Sequence, residues 1–357
     1  MKNAKEHKTK EYKSHIDKIN TDKVKTDKVN TDKVNTDKSD VLKDGKIFFV
    51  GKKLLSFCVQ IIVLSMLVFF IARIAPTDPL QAYYGERTEK MSVEEKEEAR
   101  EELGLHESII VQYGYWIKNA LQGDFGISYQ YKKPVTEVIA GRIGNTLLLG
   151  GVGFFLIFAG AIALGIFCAK REDSLLDRVL CKIGTLSGCI PEFWLSLVLI
   201  LLFCVTWKLL PSSGAYSVGM EHSFTDRLRH LILPLTVVVL SHLWYYAYLV
   251  RNRLAEETGK EYVLLCRAKG LSTGEVMKKH CFRNIFPTLY GLMVVAVPHI
   301  LGGTYIVETV FSYPGLGTLA YESARYADYN TLMLLCLLTG AVVILCNSLE
   351  LKKKYEE

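Results

Sequence analysis

The sequence predicts an all-α membrane protein with six transmembrane helices and a polar N-terminal tail. Three observations carry this expectation: charge is segregated along the chain, apolar runs recur, and Lys and Arg concentrate in alternate connectors. Half of the 357 residues are hydrophobic although 22% are charged. A soluble domain would interleave the two, whereas here runs of about 20 apolar residues stand apart, each long enough to cross a hydrocarbon core about 30 Å thick.

The first 45 residues are mostly Lys, Asp, Asn and Thr, and Thr21, Thr26, Thr31 and Thr36 each open a Thr-Asp-Lys repeat. Such a segment cannot cover a packed face, and residues 1–45 are expected to be a disordered, Lys-rich cytoplasmic tail. A first transmembrane helix follows within 46–75, with its apolar run at 54–74. Further spans are expected at about 145–169, 183–207, 231–250, 286–307 and 331–349, within a core of 144–350. The connectors 170–182 and 251–285 are rich in Lys and Arg, so they and both termini belong in the cytoplasm. Residues 76–143 then form an extracytoplasmic loop region. An acidic helix is expected over 92–104, ended by Gly104, and an apolar-striped one over 107–121.

The net charge of +6 sits in the tail and beside the apolar runs, which points to membrane anchoring and lipid contact, not to nucleic acid. All nine cysteines lie in or beside apolar runs with no CxxC pair, so neither a disulfide framework nor a zinc site is expected. Gly45 to Lys53 only superficially evokes a phosphate loop. It has five residues between its glycines and Lys53 where a Ser or Thr would hold magnesium. No nucleophile constellation is visible, so the chain is expected to be no enzyme by itself and to bind no cofactor.

The cytoplasmic connector 251–285 is the most informative stretch. Its spacing predicts a helix to about Lys269, a stop at Gly270, and a second short amphipathic helix capped by Ser272 or Thr273, with Glu275 completing a capping box from Ser272. Two short helices of this kind need a surface to cover, either lipid or a partner protein.

Arg267, Ala268, Lys269, Gly270 and Leu271, followed by His280, Arg283, Asn284 and Pro287, resemble the cytoplasmic loop of the permeases of dipeptide, oligopeptide and nickel ABC importers. Further matches follow in family order. Residues 72–79 resemble the exit from the first span, Leu103 to Gly126 the external loop, and Ile190 to Leu195 the third span. Val307 to Gly317 resembles the turn after the fifth. The resemblance implies a type I ABC importer permease fold in a bacterial inner membrane. It also implies a translocation path shared with a second, paralogous permease, two ATPase subunits that hold ATP and Mg and grip the loop around Gly270, and an extracytoplasmic solute-binding protein. Arg267 to Leu271, Glu275, His280, Arg283 and Asn284 would then be the coupling residues. The cargo would be a peptide or a nickel chelate. An ATP-independent secondary transporter is the alternative reading, and a membrane sensor a weaker one for want of an output domain.

Ionisable residues in spans usually face a cavity. Glu192, His299 and Glu308 are the candidates for the path, Glu192 being placed a turn or more inside the third span. Glu308 could equally cap the external turn. His242, among Trp244, Tyr245, Tyr246 and Tyr248, reads instead as part of an aromatic interface belt. His299 has no His or Cys three or four residues away, and no metal site is assigned.

Overall fold

The computed structural model describes residues 51–74, 78–102 and 104–354. The chain divides into two units, Met1–Gln60 and Ile61–Glu357. The described part of the first is the opening of a helix, α1, with bounds Gly51–Ile74; the architecture that follows belongs to the second. The tail expected over 1–45 and the phosphate-loop lookalike ahead of Gly51 lie outside the described residues. Among those residues there is no strand, only an isolated antiparallel bridge between Ile127 and Pro134.

Helix is what a bilayer demands, because backbone N–H and C=O groups have no water there to bond. Besides α1, four helical runs are long and apolar enough to cross. They are α6 (Val135–Lys170), α9 (Phe224–Thr258), the run Thr273–Val310 that holds α11 (Thr273–Val276) and α12 (Phe282–Val310), and the Tyr329–Leu349 part of α14 (Tyr329–Lys354). At 1.5 Å per residue α6 is about 54 Å long, well beyond a core about 30 Å thick, so its ends project. This is why it exceeds the 145–169 expected from apolar residues alone.

The third span departs from expectation. Residues 183–207 are not one helix: α7 (Leu175–Leu186) ends in a 3-10 turn, Ser187–Cys189, and α8 (Glu192–Leu199) starts afresh and winds into a π-helical stretch, Ile200–Thr206. The two limbs are bent by 102°. Pro191 is the cause. Its ring crowds the preceding turn and drives Ile190 to φ −92°, ψ 112°, outside the helical region. The apolar stretch 183–189 therefore belongs to an amphipathic helix, and Glu192 is the first residue of α8, not a residue inside a longer span.

α6 packs along α9, with Leu149, Ile157, Phe158 and Ala161 against Val237, Val238, Tyr246 and Ala247, and Ile300 and Val307 of α12 complete the core. Small residues let these helices approach. A Cβ on Gly165 would lie 2.6 Å from Val250 Cγ1 and 3.1 Å from the Arg251 backbone nitrogen. Near the C-terminal end of α9, α7 is tied to it by a two-pronged ion pair: Arg251 Nε donates to Asp177 Oδ1 and Nη2 to Oδ2, both at 2.7 Å. The Asp177 side chain is 3% exposed. The Arg251 guanidinium holds its carboxyl below the usual carboxylate range.

On the opposite side, α2 (Pro79–Tyr84) is capped by Asp78, which accepts from Leu80 N and pairs with Arg100 of α4 (Val93–Glu102) at 2.8 Å; α3 (Arg87–Lys90) lies between them in sequence. α4 and α5 (Ile109–Ala120) match the two loop helices expected, and Gly104 adopts φ +63°. Tyr113 of α5 stacks near Trp116, packs edge-on to Phe69 and bonds Ser65 at 2.8 Å. The loop before α6 is bonded to the last two helices. Ser128 donates to Asp328, Tyr131 donates to Glu322 of α13 (Leu316–Arg325) at 2.6 Å, and Asn330 donates to the Ile127 carbonyl at 3.0 Å.

Two outcomes follow. Arg251→Ala strands a buried carboxylate, and removing one partner of such a pair costs about 3–5 kcal/mol; thermal unfolding in detergent should start well below that of the wild type. Gly165→Val forces α6 off α9 at a cost of about 1–3 kcal/mol, while Gly151→Val, whose position has no neighbour within 4 Å of a Cβ, should leave the same melting curve nearly unchanged.

Candidate functional site: an exposed elbow and a cavity at a broken helix

The elbow is built as expected at its turn. α10 (Glu261–Ala268) stops where Gly270 takes φ +85°, a left-handed conformation that costs little only without a Cβ. Ser272 then caps α11 (Thr273–Val276). Its hydroxyl accepts from Glu275 N at 3.3 Å, and Glu275 Oε2 accepts from Ser272 N at 3.1 Å, a complete capping box. The second helix is not a separate short one, however. α11 runs through a π turn, Met277–Cys281, into α12 (Phe282–Val310), so the elbow and the fifth span are one 38-residue helix.

Arg267, Ala268, Lys269, Gly270, Glu275, His280, Arg283 and Asn284 are all exposed, and Leu271 is half-buried. Beneath them lies a core of their own, with Val263, Val276, Met277, Cys281 and Ile285 packed on Val250 and Leu254 of α9. Glu257, which no sequence motif singles out, is the polar anchor of this underside. It is 6% exposed and accepts from Lys260 at 2.6 Å, Tyr262 at 2.8 Å and Asn284 at 3.0 Å. Burial pushes the Tyr262 phenol up. Leu264 and Leu265 face outward, 66% and 58% exposed. The elbow is thus rigid below and open above, with apolar and basic groups side by side.

The second feature is a cavity of about 770 Å³ at the bend between α7 and α8, lined among others by Pro191, Glu192, Ser241, His242, Tyr245 and His299. Glu192 and His299, expected in a path, are brought together here. His242 joins them, against the belt assignment: it is 4% exposed, Tyr246 is 3% exposed, and Tyr245, though exposed, lines the same cavity. One turn of α9 aims His242 inward, where its ring lies edge-on to His299 with centroids 5.1 Å apart and parallel to Tyr246 at 6.5 Å. His242 Nδ1 lies 3.0 Å from the Val238 carbonyl, and Nε2 lies 3.7 Å from Glu192 Oε1. Gly303 of α12 makes room, since a Cβ there would fall 2.6 Å from Glu192 Oε1 and 2.9 Å from His242 Cε1. Among the described residues no group of three or more His, Cys, Asp or Glu side chains is placed to hold a metal ion.

Glu308, the third path candidate, does not line this cavity. It is fully buried at the turn after α12, where Oε2 accepts from Gly317 N at 2.6 Å and its backbone carbonyl accepts from Tyr313 N at 2.8 Å. Thr146 of α6 accepts from Leu316 N at 2.7 Å in the same knot. Glu308 thus caps the turn after α12 through Oε2, while its Oε1 is buried without a partner.

Comparison with known proteins fits this architecture. The family model "Binding-protein-dependent transport system inner membrane component" matches residues 161–349, and its N-terminal companion matches residues 46–150. The oligopeptide transport system permease protein AppB of Bacillus subtilis is 34% identical over 80% of this chain and 89% of its own length. A protein of Brucella suis biovar 1 that carries the provisional name of peptide permease is 33% identical over 81% of this chain and 91% of its own length. Among solved structures, a chain of the MetNI methionine ABC transporter in an inward-facing conformation aligns with a TM-score of 0.47 and 17% identity, over 61% of this chain and 97% of that one. With family matches over most of its length and close relatives of nearly its own span, this chain is a multi-pass inner-membrane protein that belongs to the binding-protein-dependent ABC importer permeases, in their peptide branch.

Proposed function

We propose that the chain is one of two permease subunits of an ATP-driven peptide importer, its N and C termini cytoplasmic, and that the elbow around Gly270 is where an ATPase subunit grips it. The observation that carries this reading is the elbow itself: an exposed, capped turn with Leu264, Leu265, Arg267 and Lys269 outward, mounted on a buried core and continuous with a membrane helix. Such a shape suits a docked protein, which can push on a rigid lever. Hydrolysis of ATP with Mg belongs to the ATPases, and a solute-binding protein delivers cargo to the opposite face. Peptide is preferred to nickel chelate because the named relatives carry peptide in their names. Transport by alternating access then needs only that the ATPase contact differ between two states, since a partner shifts an equilibrium by its differential affinity.

The test is a pull-down of the subunit from membranes with its genomic neighbours co-expressed. Wild type should retain a second permease and two ATPases, and Gly270→Asp should lose the ATPases while keeping the second permease. Wild type that brings down no ATPase sinks the reading and moves the ATP-independent transporter to the front. In the same assay Leu264→Ser should reduce ATPase recovery about tenfold, as truncation of a central apolar anchor does, whereas Ser on the exposed Val218 of the other face should have no effect.

A further inference from the structure

Glu192 carries a puzzle that the importer reading does not use. Its Oε2 is buried with no hydrogen-bond partner, as is the Ser241 hydroxyl lining the same cavity. A buried polar atom left bare is unfavourable, because it has given up water for nothing. The other carboxylate oxygen fares no better: Oε1 is 3.7 Å from His242 Nε2, beyond hydrogen-bond reach. Protonation geometry sharpens the point. The Val238 carbonyl can only accept, so His242 Nδ1 carries a proton and, in the neutral ring, Nε2 is a bare acceptor. Carboxylate, imidazole nitrogen and hydroxyl oxygen are therefore three acceptors on residues lining one cavity, and the one O–H among them, on Ser241, has no partner. Aromatic faces stand close by, with Tyr245 in the lining and Tyr246 stacked on His242.

From this we infer that Glu192, His242 and Ser241, backed by His299, form a subsite for the primary ammonium group of the cargo. An ammonium brings one positive charge and three N–H donors, which match a carboxylate, an imidazole and a hydroxyl. Neighbouring aromatic rings favour the same charge. A hard alkali or alkaline-earth cation fits worse, because it calls for a shell of oxygens and the set includes an imidazole nitrogen. The rest of the cavity is walled mainly by apolar side chains such as Leu292, Val295 and Ile306. It would accept a small peptide's uncharged body without reading its sequence. Gly303 is part of the device, because any Cβ there would strike Glu192.

The inference rests on the peptide-permease reading for the identity of the cargo, but it is tested on this chain alone, so the two can fail separately. The full-length chain in nanodiscs is titrated with three radiolabelled peptides: tri-alanine, with only an α-amine; Nα-acetyl-Ala-Lys-Ala amide, with only a side-chain amine; and Nα-acetyl-tri-alanine amide, with none. At least one amine-bearing peptide should bind tenfold or more tightly than the amine-free one, and which of them does so assigns the source of the ammonium. Glu192→Gln, equal in size, should erase that preference while leaving the amine-free peptide's affinity unchanged, and Gly303→Ala should blunt it. The proposal is overturned if wild type binds all three alike or none, or if Glu192→Gln weakens all three equally, since a purely structural role would do the last.

Discussion

A bilayer offers backbone amides nothing to bond, and the rest of this structure follows from that constraint. It forces long uninterrupted helices through the apolar core and confines irregular backbone to places where protein or a cavity receives it. Prolines inside α9 and α12, at Pro234, Pro287 and Pro298, are carried within continuous helices. Pro191 is different, because there the helix stops and restarts at 102°. The bend coincides with a place where a carboxylate, two imidazoles and an open volume meet. Broken backbone and functional polarity share an address because each needs the other's space.

Acids outside that address are held by protein donors. Asp177 has both oxygens on Arg251, and one of them also accepts from Asp173 N at 3.0 Å. Glu257 accepts three donors and Glu308 is enclosed by its turn. These groups fix helix ends against one another. Glu308 Oε1 is buried without a partner, but Glu308 Oε2 is bonded by Gly317 N; neither carboxylate oxygen of Glu192 has a protein hydrogen bond, and Glu192 lines an open cavity. A carboxylate bonded by no protein donor at the wall of a cavity reads as a vacancy for something that comes and goes.

What could be read in the sequence was local. Gly270, Ser272 and Glu275 announce their turn because left-handed backbone and capping chemistry act within four residues, and the structure forms that turn atom for atom. Gly104 and the helices beside it are local in the same sense. Pro191 was visible too, yet the apolar run around it outweighed the break, and hydropathy cannot tell a straight span from two limbs. The elbow's second helix was cut short for the opposite reason: its polar start hid its continuity with α12. Pairings across helices left no trace. Arg251 and Asp177 lie 74 residues apart, and His242 looked like a belt residue because neighbouring aromatics say nothing about which way a helix is rotated. Glu192, His242 and His299 come from three helices, so only packing could bring them together.

That packing also links the two halves of the site mechanically. His299 and Gly303 ride on the same unbroken helix that begins at the elbow, and His242 rides on α9, whose C-terminal end anchors the elbow's underside through Leu254 and Glu257. Glu192 instead heads α8, on the far side of the Pro191 break. In the proposed mechanism a push on Gly270 would be carried along α12 and α9 as a rigid displacement, while the break leaves α8 free of it. The spacing between the carboxylate and the imidazoles is therefore the quantity a docked ATPase would change. An ammonium held by all of them in one state and by the carboxylate alone in the other would bind with different affinity in each. That difference is the whole thermodynamic requirement for coupling cargo release to the partner's cycle.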